Sequence, residues 1–170
     1  MFGWLIALVT FPGVILHEWS HKFFCDRTGI PVYKTCYFRL GNPSGFVLHG
    51  PVDSYGKTFV ISTAPFLTNT VISVILFAIA IILPHNWVSY VLMWLGLSTA
   101  LHAFPSNEDA DSLWNYSKLN WRRSPLAFLT FPISGLIKLA ALARAIWFDL
   151  LYAVAILIVV ALIVKGGNIF

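Results

Sequence analysis

The chain has 170 residues, of which 58% are hydrophobic and 11% charged, with a formal net charge of +4 and a mean hydropathy of +0.79. Soluble domains carry about a quarter of their residues as Asp, Glu, Lys or Arg, so this chain lacks the charge to cover a water-facing surface. That excludes a soluble globular domain, a disordered chain and a soluble nucleic-acid binder, and leaves a small polytopic membrane protein, residues 1–170 forming one integral membrane domain.

A membrane-spanning helix needs roughly 20 mostly apolar residues. Met1 to Leu16 carries no ionisable side chain, and the apolar character continues around His17 to Phe24, which predicts a first core span over about 3–24. No basic residue precedes it and no small-residue cleavage site follows, so it reads as a retained helix rather than a secretory signal. Cys25 and Cys36 come next, at a spacing that fits no common zinc or redox pair, and are expected to be reduced thiols. Tyr37 to Gly50 reads either as two short strands, Tyr-Phe-Arg-Leu and Phe-Val-Leu-His, about a Gly-Asn-Pro-Ser-Gly turn, or as an ordered loop.

Two further core spans are expected over about 58–84 and 86–105, each uncharged through its centre. The acidic run Asn107-Glu108-Asp109-Ala110-Asp111 follows the third. The stretch 124–164 is apolar but interrupted by Lys138, Arg144 and Asp149. It reads as two spans turning near Arg144, or as one long span from about Ile146 preceded by a shorter interfacial helix. The expected fold is therefore an all-α polytopic transmembrane bundle of four to six spans, with a small β-hairpin in the first cytoplasmic loop.

Short loops rich in Lys and Arg stay cytoplasmic. Lys22, Arg27, Lys34, Arg39 and Lys57 follow the first span, and Lys118, Arg122 and Arg123 follow the third, whereas the turn at Pro84 to Trp87 has none. An extracytoplasmic N-terminus with both long loops inside satisfies the rule. The expected localisation is a multi-pass protein of the cell membrane, and the basic balance needs no nucleic acid.

Residues 17 to 21 read His-Glu-Trp-Ser-His. On a helix, positions i and i+4 share a face, so the imidazoles of His17 and His21 can reach one ion. Glu18 lies about 100° around the helix from His17, close enough to work on a water beside that ion without being a ligand. Two neutral His, a third carboxylate ligand and an open position form the usual catalytic zinc arrangement, in which a carboxylate accepts the proton of the attacking water. With five His and two Glu in the chain, a chance match is expected in roughly one such chain in 600. Ionisable clusters inside spans are also costly and functional by default.

A third ligand must come from another span at the same depth. His85 falls at the opposite face, and Asp149 has Arg144 nearby as a partner. Span three reaches the cytoplasmic side at His102 to Pro105, directly before the acidic run, so the orientation read from Lys and Arg brings the whole run, with Glu108, Asp109 and Asp111, to the histidine pair and leaves the choice within it open.

A His-Glu-x-x-His in a first core span, with an acidic motif after a third, resembles the site-2 protease family of intramembrane zinc metalloproteases. Its second motif has an Asn, a Pro, then Leu-Asp-Gly, whose Asp is the third zinc ligand. Here His102-Ala103-Phe104-Pro105-Ser106-Asn107-Glu108-Asp109-Ala110 is the comparable stretch. The resemblance implies Asp109 as the ligand. His102 stands for the Asn, Glu108 for the Leu, and the Pro-to-Asp spacing is shorter, so Asp111 and His102 remain rivals. The family's Gly-Pro-x-x-Asn at the second core span, which helps position substrate, is similar to Ala64-Pro65-Phe66-Leu67-Thr68-Asn69. On the residues alone, Pro65 reads as a first-turn helix proline and Asn69 as a helix–helix hydrogen bond. The family's strand-like element between the first two core spans corresponds to Tyr37 to His49.

The resemblance covers about residues 3 to 112. It implies one Zn²⁺ held by His17, His21 and Asp109, Glu18 as catalytic base, and peptide-bond hydrolysis in or near transmembrane segments of membrane-protein substrates, towards the cytoplasmic face. Two other functions fit the same residues: a non-catalytic zinc-binding membrane protein with a partner or structural role, and a membrane zinc hydrolase of a non-peptide substrate.

Overall fold

A computed structural model of the protein describes residues 3–166; the first two residues of the apolar N-terminal stretch lie outside the described residues. Among these are helices α1 (Gly3–Val9), α2 (Phe11–Thr28), α3 (Tyr55–Ile82), α4 (Trp87–Leu101), α5 (Asn107–Asn120), α6 (Pro125–Ala143) and α7 (Phe148–Gly166), with strands β1 (Val32–Cys36) and β2 (Phe46–His49) between α2 and α3. Helices α3, α6 and α7 are long and apolar enough to cross a membrane, and α4 is apolar but shorter. The chain is thus mostly helical with one small antiparallel sheet, as its composition and patterning require.

The predicted first span is two helices, not one. Pro12 sits in the first turn of α2, where its missing N–H costs nothing. The carbonyls left open at the end of α1 are taken by α4: Trp94 Nε1 donates to Val9 O at 3.1 Å and Ser98 Oγ to Thr10 O at 2.8 Å. Ser98 Oγ also accepts from the Gly13 amide at 2.8 Å. A Cβ at residue 13 would stand 2.0 Å from the Ser98 carbonyl oxygen, so glycine is what lets α2 and α4 meet backbone to backbone.

Helix α3 is the central post. Ser54 caps it by accepting from the Lys57 amide, and Pro65 lies well inside it rather than in its first turn. A proline there leaves the carbonyl four residues earlier, that of Ile61, without its helical donor.

The sheet corrects the expected hairpin in its first strand. β2 is the predicted Phe-Val-Leu-His, but its partner is Val32–Cys36 rather than Tyr37 to Leu40, with Thr35 opposite Val47 and Cys36 opposite Phe46. Val-Tyr-Lys-Thr-Cys offers β-branched and aromatic residues. Tyr37 to Ser44 becomes a wide loop pinned by Arg39, whose amide donates to Ser44 O and whose Nε donates to Pro43 O. Both cysteines are free, Cys25 buried.

The C-terminal stretch does not turn back at Arg144. Leu126 lies against Gly56 and Tyr55 bonds Thr130, so α6 starts beside the start of α3. Thr70 bonds Tyr152, and Phe77 packs with Val160, so α7 continues beside the second half of α3 in the same sense. The break falls at a 3₁₀ turn, Arg144–Ile146, followed by Trp147 at φ 64°. α5 and α6 are tied by the Asp111–Lys138 ion pair and by Trp114 packed on Phe131.

Candidate metal centre

The site forms where α2, α3, α4 and the start of α5 meet. His17 and His21 lie on the buried face of α2 with Gly13, Val14, Ser20 and Cys25, and are 8% and 6% exposed. Ser20 Oγ is 2.9 Å from Thr68 Oγ1, holding this face to α3.

Asp109 arrives from the other direction through a helix start. Residue 105 is a proline, and the residue before a proline avoids the helical region, so α4 ends and α5 begins afresh. Ser106 caps α5 with a reciprocal box: its Oγ accepts from the Asp109 amide at 3.1 Å, while Asp109 Oδ2 accepts from Ser106 Oγ at 2.6 Å and from the Ser106 amide at 3.2 Å. That box fixes the carboxylate and turns Oδ2 to the histidines.

Three donor atoms converge. His21 Nε2 is 3.2 Å from His17 Nε2 and 3.2 Å from Asp109 Oδ2, and His17 Nε2 is 4.0 Å from the same oxygen. Ligands about 2.0–2.1 Å from a tetrahedral zinc stand about 3.3 Å apart, so these side chains could hold a metal ion with small adjustments. Burial alone would push the Asp109 carboxyl up, but the adjacent His21, which also hydrogen-bonds it, outweighs burial with help from His17 and Ser106 and holds it well below the usual carboxylate range. The carboxylate is therefore ionised at neutral pH, as a ligand must be.

The far side of the His17 ring meets a backbone carbonyl. His17 Nδ1 is 2.8 Å from the His102 carbonyl oxygen. A carbonyl only accepts, so Nδ1 carries the proton and Nε2 presents a lone pair to the space between the three side chains. Outer partners of this kind are what orient metal-binding histidines.

The rivals are placed elsewhere. The His102 imidazole turns away to Thr10, Nε2 to Oγ1 at 2.8 Å, and contributes its carbonyl instead. Asp111 faces Lys138. His49 sits on β2 with Nδ1 2.8 Å from Gly50 O, and Asp149 pairs with Arg144 at 2.8 Å. Among the described residues, no fourth His, Cys, Asp or Glu joins the cluster.

Glu18 is roofed by the hairpin loop. A Cβ at Gly45 would stand 2.7 Å from Glu18 Cγ and 3.1 Å from Oε1. Asn69 is fully buried beside the site. Sequence reasoning missed three contributors: Ser106, which the Ser-x-x-Asp pattern signals; Gly45, for which sequence holds no signal; and the His102 carbonyl, a backbone group no side chain advertises.

No protein-family model matches the chain, nor does any curated protein or solved structure.

Proposed function

We propose that the chain is a zinc metalloprotease that cleaves transmembrane segments of other membrane proteins near the cytoplasmic boundary of the bilayer, as its resemblance to the site-2 proteases implies. The observation that carries this reading is the convergence of His17 Nε2, His21 Nε2 and Asp109 Oδ2 from two helices, with Glu18 one residue from His17. The donor set of two imidazoles and one carboxylate suits zinc, and three protein ligands with no fourth among the described residues suit a catalytic rather than a closed structural site.

When bound, zinc supplies a Lewis acid that acidifies water to a pKa of about 7 and polarises a substrate carbonyl. His17, His21 and Asp109 hold it. Glu18 accepts the proton of the attacking water and returns it to the departing amine. The hairpin loop lies over Glu18 at Gly45 and limits access from that side. A helical substrate hides its carbonyls in its own hydrogen bonds, so it must unwind before attack; the hairpin offers strand edges to an extended chain.

The test is one measurement pair on Glu18→Gln in proteoliposomes carrying a reporter transmembrane segment. Zinc stoichiometry should stay at the wild-type value while cleavage falls by about 10²–10⁴-fold. Substantial cleavage by the mutant, or a wild type that takes up no zinc, overturns the reading.

A further inference from the structure

The geometry points to Asn69 as a positioning residue of the metal centre, acting through the His102 carbonyl rather than on substrate. Its Nδ2 donates to His102 O at 2.9 Å, with Gly13 O at 3.2 Å and Thr99 O at 3.3 Å. An amide nitrogen has two hydrogens. The shortest contact, to His102, takes one of them, and the carbonyls of Gly13 and Thr99 share the other.

His102 closes the last turn of α4, and carbonyls there have no helical donor. The oxygen therefore has both lone pairs free. One accepts from His17 Nδ1 at 2.8 Å, the other from Asn69. Asn69 thereby holds the acceptor that holds the ring that presents Nε2 to the site. The same amide clasps α2 at Gly13 and α4 at Thr99, fixing the helix that carries His17 against the carbonyl that orients it.

Asn69 is fully buried, and its Oδ1 has no partner among the described residues. An unsatisfied buried acceptor is destabilising, so an apolar residue would serve packing better. What offsets that cost is the work of Nδ2. With Nδ2 engaged by protein backbone and no surface of the side chain exposed, the residue acts on the protein around the site.

The inference rests on the three side chains holding a metal, as proposed above, but not on proteolysis. The experiment compares Asn69→Ala with Thr70→Val in detergent micelles. Thr70, the next residue on α3, makes an interhelical bond to Tyr152 at 2.7 Å and hydrogen-bonds none of the site residues. Zinc Kd is measured by competition with a chromophoric chelator, and thermal stability on the chelated, metal-free protein. Both variants should lower the metal-free Tm, and Asn69→Ala alone should weaken zinc binding, by about tenfold or more. If Asn69→Ala does not fold, Asn69→Ser, too short to reach His102, is measured in its place. A wild-type Kd in the Asn69 variant, or an equal loss in Thr70→Val, overturns the inference. A wild type without zinc would instead overturn the metal centre itself.

Discussion

Gly45 and Glu18 share a contact that no other residue at position 45 could make, because the place of a side chain is 2.7 Å from the Glu18 stem. The hairpin loop and the proposed base are fitted to one another. Gly45→Val should therefore displace Glu18 or lift the loop while leaving His17, His21 and Asp109 where they are. The expected outcome is zinc content at the wild-type value with cleavage reduced by about tenfold or more, since small misplacements of a reacting group are costly. Cleavage by Gly45→Val at the wild-type rate would show that the loop stands clear of the base during turnover.

Asp109 and Asp111 are two residues apart and point to different partners. Asp109→Asn should lose zinc retention on dialysis, because a ligand and the box to Ser106 are both altered. Asp111→Asn should retain one ion per chain. It breaks a pair with Lys138 in which the carboxylate is half exposed, worth about 0–1 kcal/mol. Metal analysis of the two purified variants decides the matter, and the reverse pattern would remove Asp109 from the site.

Acid should strip the metal through the histidines alone. Both imidazoles must be neutral to bind, and an ordinary histidine protonates near about pH 6.5. Asp109 is held below the usual carboxylate range, so it stays charged through that window. Its own contribution to stability is fully present above about pH 4 and is lost only as the pH falls through its depressed value. Zinc affinity measured at pH 7.5, 6.5 and 5.5 should fall by up to about tenfold per unit for each histidine below its pKa. A flat profile would overturn a site held by two imidazoles that titrate in the ordinary range.

The histidine pair was legible because its chemistry is local: His17 and His21 share a helix face by spacing alone. The third member was legible only as far as the acidic run. What separates Asp109 from Asp111 is the cap at Ser106, a pattern printed in the sequence as Ser-x-x-Asp. The break before α2 was likewise written in Pro12. The break before α7 was not, because Trp147 adopts a left-handed conformation that its identity does not announce. The exchange of Tyr37 to Leu40 for Val32–Cys36 as the first strand reflects pairing register, which only the partner strand decides. Contributions made by backbone, such as the His102 carbonyl, have no letter of their own.

On the proposed function, the shortness of α4 has a consequence for the fate of a cleaved protein. Its 15 residues rise about 22 Å, against about 30 Å of hydrocarbon. With Trp87 at the outer boundary, in the proposed orientation, the level of His102 lies about 8 Å short of the inner one. A helix severed there leaves its inward fragment a stub of roughly five apolar residues, too few to moor it. Scission and departure into the cytosol would then be a single event, with no second cut required to set the fragment free.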